Sequence, residues 1–166
     1  MQKLYKYART YHFSFSGGIG SDDKIIKSLD NFEDKEIVIT EKFDGENTTI
    51  YNNYFHARSL DSKHHSSRDW VAKFASEIGY KIPDNFRVCG ENLFAKHSLE
   101  YKNLQSYFYG FSLWNDKWCL SWDETVSFFN EIGIIPVKEL YRGIFDIKQI
   151  EQLSKKFQRI SPVILF

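Results

Sequence analysis

The stretch VITEKFDGENTTIY, Val38 to Tyr51, places an Asp-Gly pair between two runs rich in β-branched residues. Asp-Gly between such runs is a strong short-range signal for a β-hairpin. The stretch therefore predicts two paired strands, the first from about Glu36 to Lys42, with the lysine at the mouth of the hairpin. Glu41 and Asp44 flank Lys42, so the segment suits a reactive amine as well as a turn.

The composition indicates a folded, globular chain. Of 166 residues, 42% are hydrophobic and 17% are aromatic, which is enough to bury the core of a single domain spanning residues 1–166. The 22 basic and 22 acidic side chains cancel, so no overall field draws the protein to nucleic acid or to a membrane. Any contact with a polynucleotide must therefore be local.

Cysteine usage and hydropathy exclude several classes of protein. Cys89 and Cys119 lack Cys-x-x-Cys spacing, which argues against a disulfide framework and against a thiolate zinc site. The chain contains no apolar run of about 18 residues that could span a membrane, and MQKLYKYART has no signal core. We expect a soluble, cytoplasmic protein without a membrane partner.

Hydrophobic periodicity outlines the other elements. Strands are predicted in YFHARS, NFRVCGENLF and SYFYGFSLWNDKWCLSW, and a short extended segment in IIPVKEL. Helices are predicted in HSSRDWVAKFASEIG and WDETVSFFNEIG, which end at Gly79 and Gly133, and in DIKQIEQLSKKF. Strands outnumber helices without regular alternation, which predicts an α+β fold with largely antiparallel sheets flanked by helices.

Four short motifs follow one another along the chain. EKFDGEN contains Lys-x-Asp-Gly, HARSLDS contains Arg58-Ser59, RVCGENLF contains Gly90-Glu91, and YFYGFSLW reaches Phe111. Their order and spacing resemble those of the covalent nucleotidyltransferases: ATP-dependent DNA ligases, RNA ligases and capping enzymes. The residues in these motifs are most similar to those of the RNA ligases, in which Gly-Glu followed by an aromatic residue and AKHS is typical. The resemblance covers roughly residues 37–114, with a looser match through PVKELYRGIFD.

This resemblance implies an ATP-grasp-like nucleotidyltransferase core and an ATP-dependent RNA ligase activity. In that family a lysine attacks the α-phosphorus of ATP and holds AMP as a phosphoramidate, and Lys42 is the matching position. The AMP then passes to an RNA 5′-phosphate, and a 3′-hydroxyl displaces it to seal the strand, as RNA repair requires. The implied partners are ATP and RNA with 5′-phosphate and 3′-hydroxyl ends.

Residues around the lysine inherit ATP-binding roles from the same resemblance. Thr40 and Glu41 lie where the family recognises the edge of adenine. Asn47 lies where it contacts the ribose or a phosphate, and Asp44 and Gly45 complete this part of the predicted site.

The later motifs supply the remaining ATP-binding candidates. Arg58 offers a planar fork suited to phosphate or to the 3′ side of the nucleotide. Glu91 is expected to accept a hydrogen bond from a ribose hydroxyl, and Phe111 to stack on adenine. Phe108 is the substitute for Phe111, because only one face of that strand can meet a base.

A divalent metal ion is inferred from the charge around the lysine. An amine attacks only when it is neutral, and the neighbouring carboxylates favour its protonated form. Mg²⁺ or Mn²⁺ beside the lysine and the triphosphate would oppose them, although the sequence does not identify the protein ligands.

Several other polar residues are weaker candidates. Arg68, Lys96 and His97 are predicted to form local contacts with RNA, although each also suits ordinary surface. Adjacent His64 and His65 lack Cys, Asp or Glu at zinc-site spacing, so a solvated loop is the preferred interpretation.

Two later motifs of the family have no match in the sequence: a Glu-Gly strand that serves the metal and a Lys-x-Lys strand that grips the α-phosphate. We therefore expect a domain truncated before these motifs, with a further segment or a second chain supplying them. The alternative function is a catalytically incomplete nucleotide- or RNA-binding module derived from such a ligase. A third reading is an unrelated α+β protein.

Overall fold

The computed structural model divides the chain into two compact units. It describes every residue except 1–2, 9, 17–18, 20, 22–23, 62, 96, 98, 158–159 and 165–166, and only the backbone of Ile160–Ile164. One unit comprises Met1–Tyr7 and Phe43–Pro136, and the other comprises Ala8–Lys42 and Val137–Phe166. We call them the six-stranded unit and the three-stranded unit. The single domain expected over residues 1–166 stays a prediction.

The elements have the following bounds. The strands are β1 (Glu36–Glu41), β2 (Glu46–Ile50), β3 (Phe55–Ala57), β4 (Phe86–Asn92), β5 (Phe108–Asn115), β6 (Trp118–Cys119), β7 (Ile135–Pro136), β8 (Glu139–Ile144) and β9 (Ile160–Ile164). The helices are α1 (Asp69–Ile78), α2 (Trp122–Ile132) and α3 (Ile147–Lys156), with 3₁₀ turns at Ser66–Arg68 and Gly79–Lys81. None of these helices is long and apolar enough to cross a membrane.

The Asp44-Gly45 turn does not close a hairpin, so that prediction is wrong. β1 pairs with β8 and β9, whereas β2 pairs with β3 and β4 in the other sheet. A Cβ on Gly45 would lie only 2.4 Å from the carbonyl oxygen of Asn92. The glycine is therefore required because two backbone segments approach closely here. Its high turn propensity led the sequence analysis to predict a hairpin instead.

The larger sheet has the strand order β3-β2-β4-β5-β6, with β7 parallel to β5 and the other pairs antiparallel. One face packs against α1 and α2 through a buried apolar cluster. Its members include Ile50, Val71, Ile78, Val88, Phe108, Leu113, Phe129 and Ile132. The prediction of an α+β fold with largely antiparallel sheets is confirmed.

The smaller sheet has the order β8-β1-β9, so β1 is its central strand. Ile37 and Ile39 are fully buried with Phe13 and with Ile150 of α3. These contacts form a separate core in the three-stranded unit.

The helix ends partly follow the sequence signals. Ser121 and Glu124 form a capping box at the start of α2, and Gly133 ends that helix with a φ of 86°. Gly79, in contrast, keeps a right-handed conformation and leads from α1 into a 3₁₀ turn. A glycine in the left-handed conformation therefore ends α2, whereas α1 continues into a tighter 3₁₀ turn before it ends.

A series of hydrogen bonds connects the amino-terminal segment, Met1–Tyr7, to the rest of the six-stranded unit. The backbone N–H of Tyr5 donates to Oη of Tyr51 at 2.9 Å. His56 places Nε2 3.4 Å from the same hydroxyl, and its Nδ1 donates to the Ala57 carbonyl at 2.6 Å. The ring of Tyr5 also lies 4.5 Å from the guanidinium of Arg87. The segment is therefore held by polar contacts and by a cation–π interaction.

We expect His56 to make stability depend on pH. Burial, assisted by the Arg87 guanidinium, lowers the pKa of His56 below its ordinary value of 6.5. The unfolded chain therefore takes up this proton at a higher pH than the folded chain, so stability falls as the pH drops below 6.5. The loss is limited to about 1.4 kcal/mol per pH unit.

Urea unfolding of the wild type and of His56→Gln between pH 7.5 and 5.5 measures this effect. The glutamine retains a hydrogen-bonding amide but does not titrate, so its stability should fall less steeply with decreasing pH. Equal slopes for the two proteins would show that His56 does not contribute.

Candidate functional site

β1 ends in two predicted site residues, Thr40 and Glu41, and leads directly into a third, Lys42. Residues 37–39 are fully buried and Thr40 is almost so, with β8 and β9 on either side. The backbone N–H of Glu41 donates to the carbonyl of Lys138 at 2.9 Å. Lys42 follows directly and is partly buried. The backbone before Lys42 is therefore fixed by a buried central strand.

A β-bulge lies next to this end of β1. On β8, Tyr141 and Glu139 pair with consecutive residues of β1, and Leu140 between them is the extra residue. Thr40 is one of the two β1 residues at this irregularity. Bulges are frequent beside active sites because they change the direction of nearby side chains.

In the six-stranded unit, residues from separate motifs form one row. Asn47 on β2 pairs with Glu91 on β4, and Glu91 pairs with Tyr109 on β5. Residues directly opposite each other in an antiparallel sheet project to the same face. Arg58 is exposed and follows the last residue of β3, level with Asn47 across the β2–β3 ladder. We call Arg58, Asn47, Glu91 and Tyr109 the site row.

Glu91 also holds the turn that follows Lys42. The carboxylate of Glu91 accepts a hydrogen bond from the backbone N–H of Gly45 at 3.1 Å. The backbone N–H of Asp44 donates to Oη of Tyr101 at 2.8 Å, and the Tyr101 ring meets Phe43 edge-to-face at 4.9 Å. The Asp44-Gly45 turn is therefore fixed by side chains distant in sequence.

Asn47 carries an acceptor without a donor. Within the part of the chain that the structure describes, its amide oxygen Oδ1 is buried and accepts no hydrogen bond. Leaving such an atom unpaired costs about 1–3 kcal/mol, so folded proteins rarely do so without a reason. A hydroxyl or amino group of a ligand would satisfy it. Asn47 lies beside Glu91 in the site row, so two acceptors stand next to each other.

Phe111 occupies a second bulge. On β5, Gly110 and Ser112 pair with consecutive residues of β4, and Phe111 between them is the extra residue. The ring of Phe108 is fully buried in the core beneath the sheet. Phe108 therefore offers no face to a base, and its suggested role as the substitute is wrong.

The amino-terminal segment contributes a tyrosine that the sequence analysis missed. The ring of Tyr7 meets Phe111 edge-to-face, with centroids 5.2 Å apart, and its hydroxyl is hydrogen-bonded to Ser112. Burial raises the pKa of Tyr7, and the nearby Cys89 thiol raises it further. The buried Tyr7 therefore stays neutral, and its ring packs against the Phe111 ring. No spacing rule connects this tyrosine with motifs about a hundred residues away.

The weaker RNA-binding candidates have different surroundings. Arg68 forms a bidentate ion pair with Glu46. Its Nε lies 2.8 Å from Oε2 of the glutamate, and its Nη2 lies 2.5 Å from Oε1. Its Nη1 donates to the Lys63 carbonyl, so Arg68 is engaged inside the unit. His97 is exposed, and Lys96 lies outside the described residues. RNA contact by all three stays a prediction.

The described residues provide no preformed metal cage. Among them, no three His, Cys, Asp or Glu side chains cluster closely enough to hold an ion. His64 instead contacts Asp69 at 2.9 Å, and His65 accepts the Ser67 N–H at the start of a 3₁₀ turn. Mg²⁺ is commonly bound by one or two carboxylates together with substrate phosphates.

Comparison with known proteins places these features in a family. The sequence matches the family model described as RNA ligase over residues 35–162. No curated protein matches it. The fold is similar to that of an archaeal ATP-dependent RNA ligase (form 2), with a TM-score of 0.64 and 12% identity over 97% of this chain and 48% of that chain.

Structures of the Naegleria gruberi RNA ligase are also similar. A lysine-to-alanine mutant with ATP and Mn gives a TM-score of 0.60 at 14% identity, covering 97% of this chain and 57% of that one. A glutamate-to-alanine mutant with AMP and Mn gives 0.60 at 16% identity, with the same coverage. The chain thus spans about half the length of these solved ligases.

The match to the family model covers most of the chain, and the solved ligases share its fold. An unrelated α+β protein is thereby excluded. The sequence motifs, the fold and the family match agree that this chain belongs to the RNA ligase family.

Proposed function

We propose that the chain is an ATP-dependent RNA ligase-type adenylyltransferase with Lys42 as its nucleophile. Nζ of Lys42 attacks the α-phosphorus of ATP and forms a P–N bond. The bond between the α-phosphorus and the bridging oxygen breaks, pyrophosphate leaves, and the amine loses its proton. An RNA 5′-phosphate then takes the AMP from Lys42, and a 3′-hydroxyl displaces the AMP as the strand is sealed.

The observation that carries this proposal is the site row together with its link to the turn. Gly45 lies three residues after Lys42, and its N–H is hydrogen-bonded to Glu91. Asn47 stands directly opposite Glu91 in the sheet. Residues from separate motifs thus meet at the turn that follows the lysine in the sequence. An ordinary surface lysine after a strand requires no such arrangement.

The nucleotide contacts follow the resemblance to the RNA ligases, and the chemistry of the side chains is compatible with them. Glu91 and Asn47 are adjacent acceptors, which suits the two donor hydroxyls of a ribose. Phe111 stacks on adenine, and Arg58 contacts phosphate or the 3′ side of the nucleotide. Thr40 and Glu41, at the end of β1, recognise the edge of adenine.

ATP and a divalent ion are the proposed co-substrates, and similar ligases that contain ATP or AMP with Mn support them. The ion supplies charge neutralisation at the phosphates. Both Mg²⁺ and Mn²⁺ fit this proposal. The chain's own part is to position the amine and the nucleotide, which provides most of the acceleration in phosphoryl transfer.

A nucleotide- or RNA-binding module is the second candidate function. It is favoured by one feature of the sequence, which has neither a Glu-Gly nor a Lys-x-Lys pair after Phe145. Losing one preorganised electrostatic contact commonly raises a barrier by about 2.7–4 kcal/mol. A protein that lacks the two motifs would retain the nucleotide contacts but would catalyse adenylyl transfer slowly.

We expect a covalent adduct between AMP and Lys42. After incubation with α-labelled ATP and Mg²⁺ or Mn²⁺, the wild type should carry label through denaturing electrophoresis, and Lys42→Ala should carry none. Lys117→Ala is the matched control, because Lys117 is an exposed lysine in the turn between β5 and β6. It should be labelled like the wild type.

The same experiment separates the two candidate functions. ATP binding by calorimetry without any adduct would reject autonomous catalysis and favour the binding module. Neither binding nor adduct with either metal would reject both.

We expect Glu91 to set the preference for ribose hydroxyls. A hydrogen bond to a charged group is worth about 1.5–3 kcal/mol, so the wild type should bind ATP at least about tenfold more tightly than one of its 2′-deoxy or 3′-deoxy analogues. Glu91→Ala should remove that difference, because the acceptor is lost. Calorimetry with the three nucleotides measures it.

Glu91→Gln is the control for this measurement, since its amide oxygen can still accept both the Gly45 N–H and a hydroxyl. It should keep part of the preference. If Glu91→Ala discriminated between ATP and both deoxy analogues as the wild type does, the ribose contact would lie elsewhere.

A further inference from the structure

Aromatic side chains cluster beyond the end of β4 that carries Glu91. Phe94 follows β4 and Tyr107 precedes β5, and their rings meet edge-to-face with centroids 5.3 Å apart. Tyr107 also meets Trp70 of α1 at 5.4 Å, and Trp70 stacks on Phe74 at 5.2 Å. We call Phe94, Tyr107 and Trp70 the aromatic platform.

The aromatic platform is open to solvent on its outer side. Phe94 is 45% exposed and Tyr107 is 42% exposed. Single exposed aromatic residues are common, but these two touch each other, and Tyr107 also touches Trp70. Contiguous apolar surface of this kind marks interaction sites.

Backbone and side-chain hydrogen bonds hold the aromatic platform in place. The N–H of Leu93 donates to the Tyr107 carbonyl at 2.7 Å, and the N–H of Phe94 donates to Oδ1 of Asn92 at 3.1 Å. Nδ2 of Asn92 in turn donates to the Ser67 carbonyl at 3.1 Å. Asn92 directly follows the β4 member of the site row. The rings are therefore preorganised on an extension of the site.

The charges nearby allow a polyanion to approach. Lys102 and His97 are exposed in the loop that joins the two outer rings, and Lys73 lies one turn beyond Trp70 on α1. Glu100 lies in the same loop, and Glu77 approaches Lys73 only to 3.9 Å. Exposed ion pairs of this length are weak, so Lys73 can exchange its partner for a phosphate.

We propose that the aromatic platform stacks an unpaired base of a single RNA strand. Every base has a π face, so stacking on aromatic rings holds single strands without regard to sequence, while cations contact the backbone. RNA ends and loops present the unstacked bases that such a surface needs. This inference deepens the proposed function, because RNA is the substrate of that reaction, and it gives an RNA-binding role to aromatic residues for which the sequence analysis predicted no contact.

Fluorescence anisotropy with a labelled short oligoadenylate and no ATP tests the aromatic platform. Leaving ATP out makes the result independent of adduct formation. Phe94→Ala and Tyr107→Ala should each weaken RNA binding by at least about fivefold, the lower end of the range for stacking of one base. Tyr107→Trp should retain binding, and Tyr107→Leu, which keeps apolar bulk without a π face, should lose it.

Matched controls separate stacking from general surface effects. Trp118→Ala removes a ring that is 80% exposed on β6, and it should bind RNA like the wild type. An oligonucleotide with abasic sites should bind the wild type as weakly as intact RNA binds Tyr107→Ala. Circular dichroism confirms that each variant is folded.

The outcomes distinguish this inference from the proposed function. Normal adduct formation with unchanged RNA affinity in Phe94→Ala and Tyr107→Leu would overturn the aromatic platform and leave the ligase proposal standing. Weakened RNA binding in these variants, with no adduct in the wild type, would support the aromatic platform and reject autonomous catalysis. Sedimentation showing wild-type self-association that Phe94→Ala abolishes, without any change in RNA binding, would assign the surface to a second copy and overturn the inference.

Discussion

The proposed site depends on how the backbone is held before and after Lys42. Before Lys42, β1 is a central strand whose apolar side chains are fully buried and whose backbone is paired on both edges. After it, the Gly45 N–H is bound by the Glu91 carboxylate. Only Phe43 and Asp44 lie between Lys42 and that glycine. A lysine side chain has four rotatable bonds, so a fixed backbone is the main way in which a fold can restrict where its amine reaches.

Irregular sheet geometry marks the same residues. The bulge at β8 adjoins Thr40, and the bulge at β5 places Phe111 outside the regular alternation of its strand. Each costs ladder hydrogen bonds, and each occurs where the sequence motifs predict contact with the nucleotide. The buried amide oxygen of Asn47, which accepts no hydrogen bond from the residues that the structure describes, is a further local cost. Such costs are common at functional sites, where a ligand can repay them.

Sequence reasoning succeeded where a signal is local. The helix spacing and the Gly133 stop of α2 depend on neighbouring residues, and the structure confirms both. The order of the four motifs predicted the family and the fold. It also predicted nucleotide-binding residues, and their role stays a prediction; three of them, Asn47, Glu91 and Arg58, lie together in the site row.

The failures concern features that depend on distant residues. Asp44-Gly45 has the local signature of a hairpin, but the buried faces of β1 and β2 belong to different sheets, and tertiary pairing overrides turn propensity. β9 was not predicted, because ISPVI contains a proline and becomes a strand only by pairing with β1. Phe108 is fully buried whereas Phe111 is only partly buried, and the bulge that contains Phe111 arises from pairing with β4, which no local pattern records. Tyr7 reaches Phe111 from the other end of the chain, and no sequence pattern records that contact.

The most direct test of the central claim is a crystal structure of the protein with a non-hydrolysable ATP analogue and Mg²⁺. The account predicts Nζ of Lys42 facing the α-phosphorus at about 3–3.5 Å, in line with the departing oxygen. It also predicts ribose hydroxyls on Asn47 and Glu91. A nucleotide bound elsewhere, with the Lys42 amine directed into solvent, would contradict it.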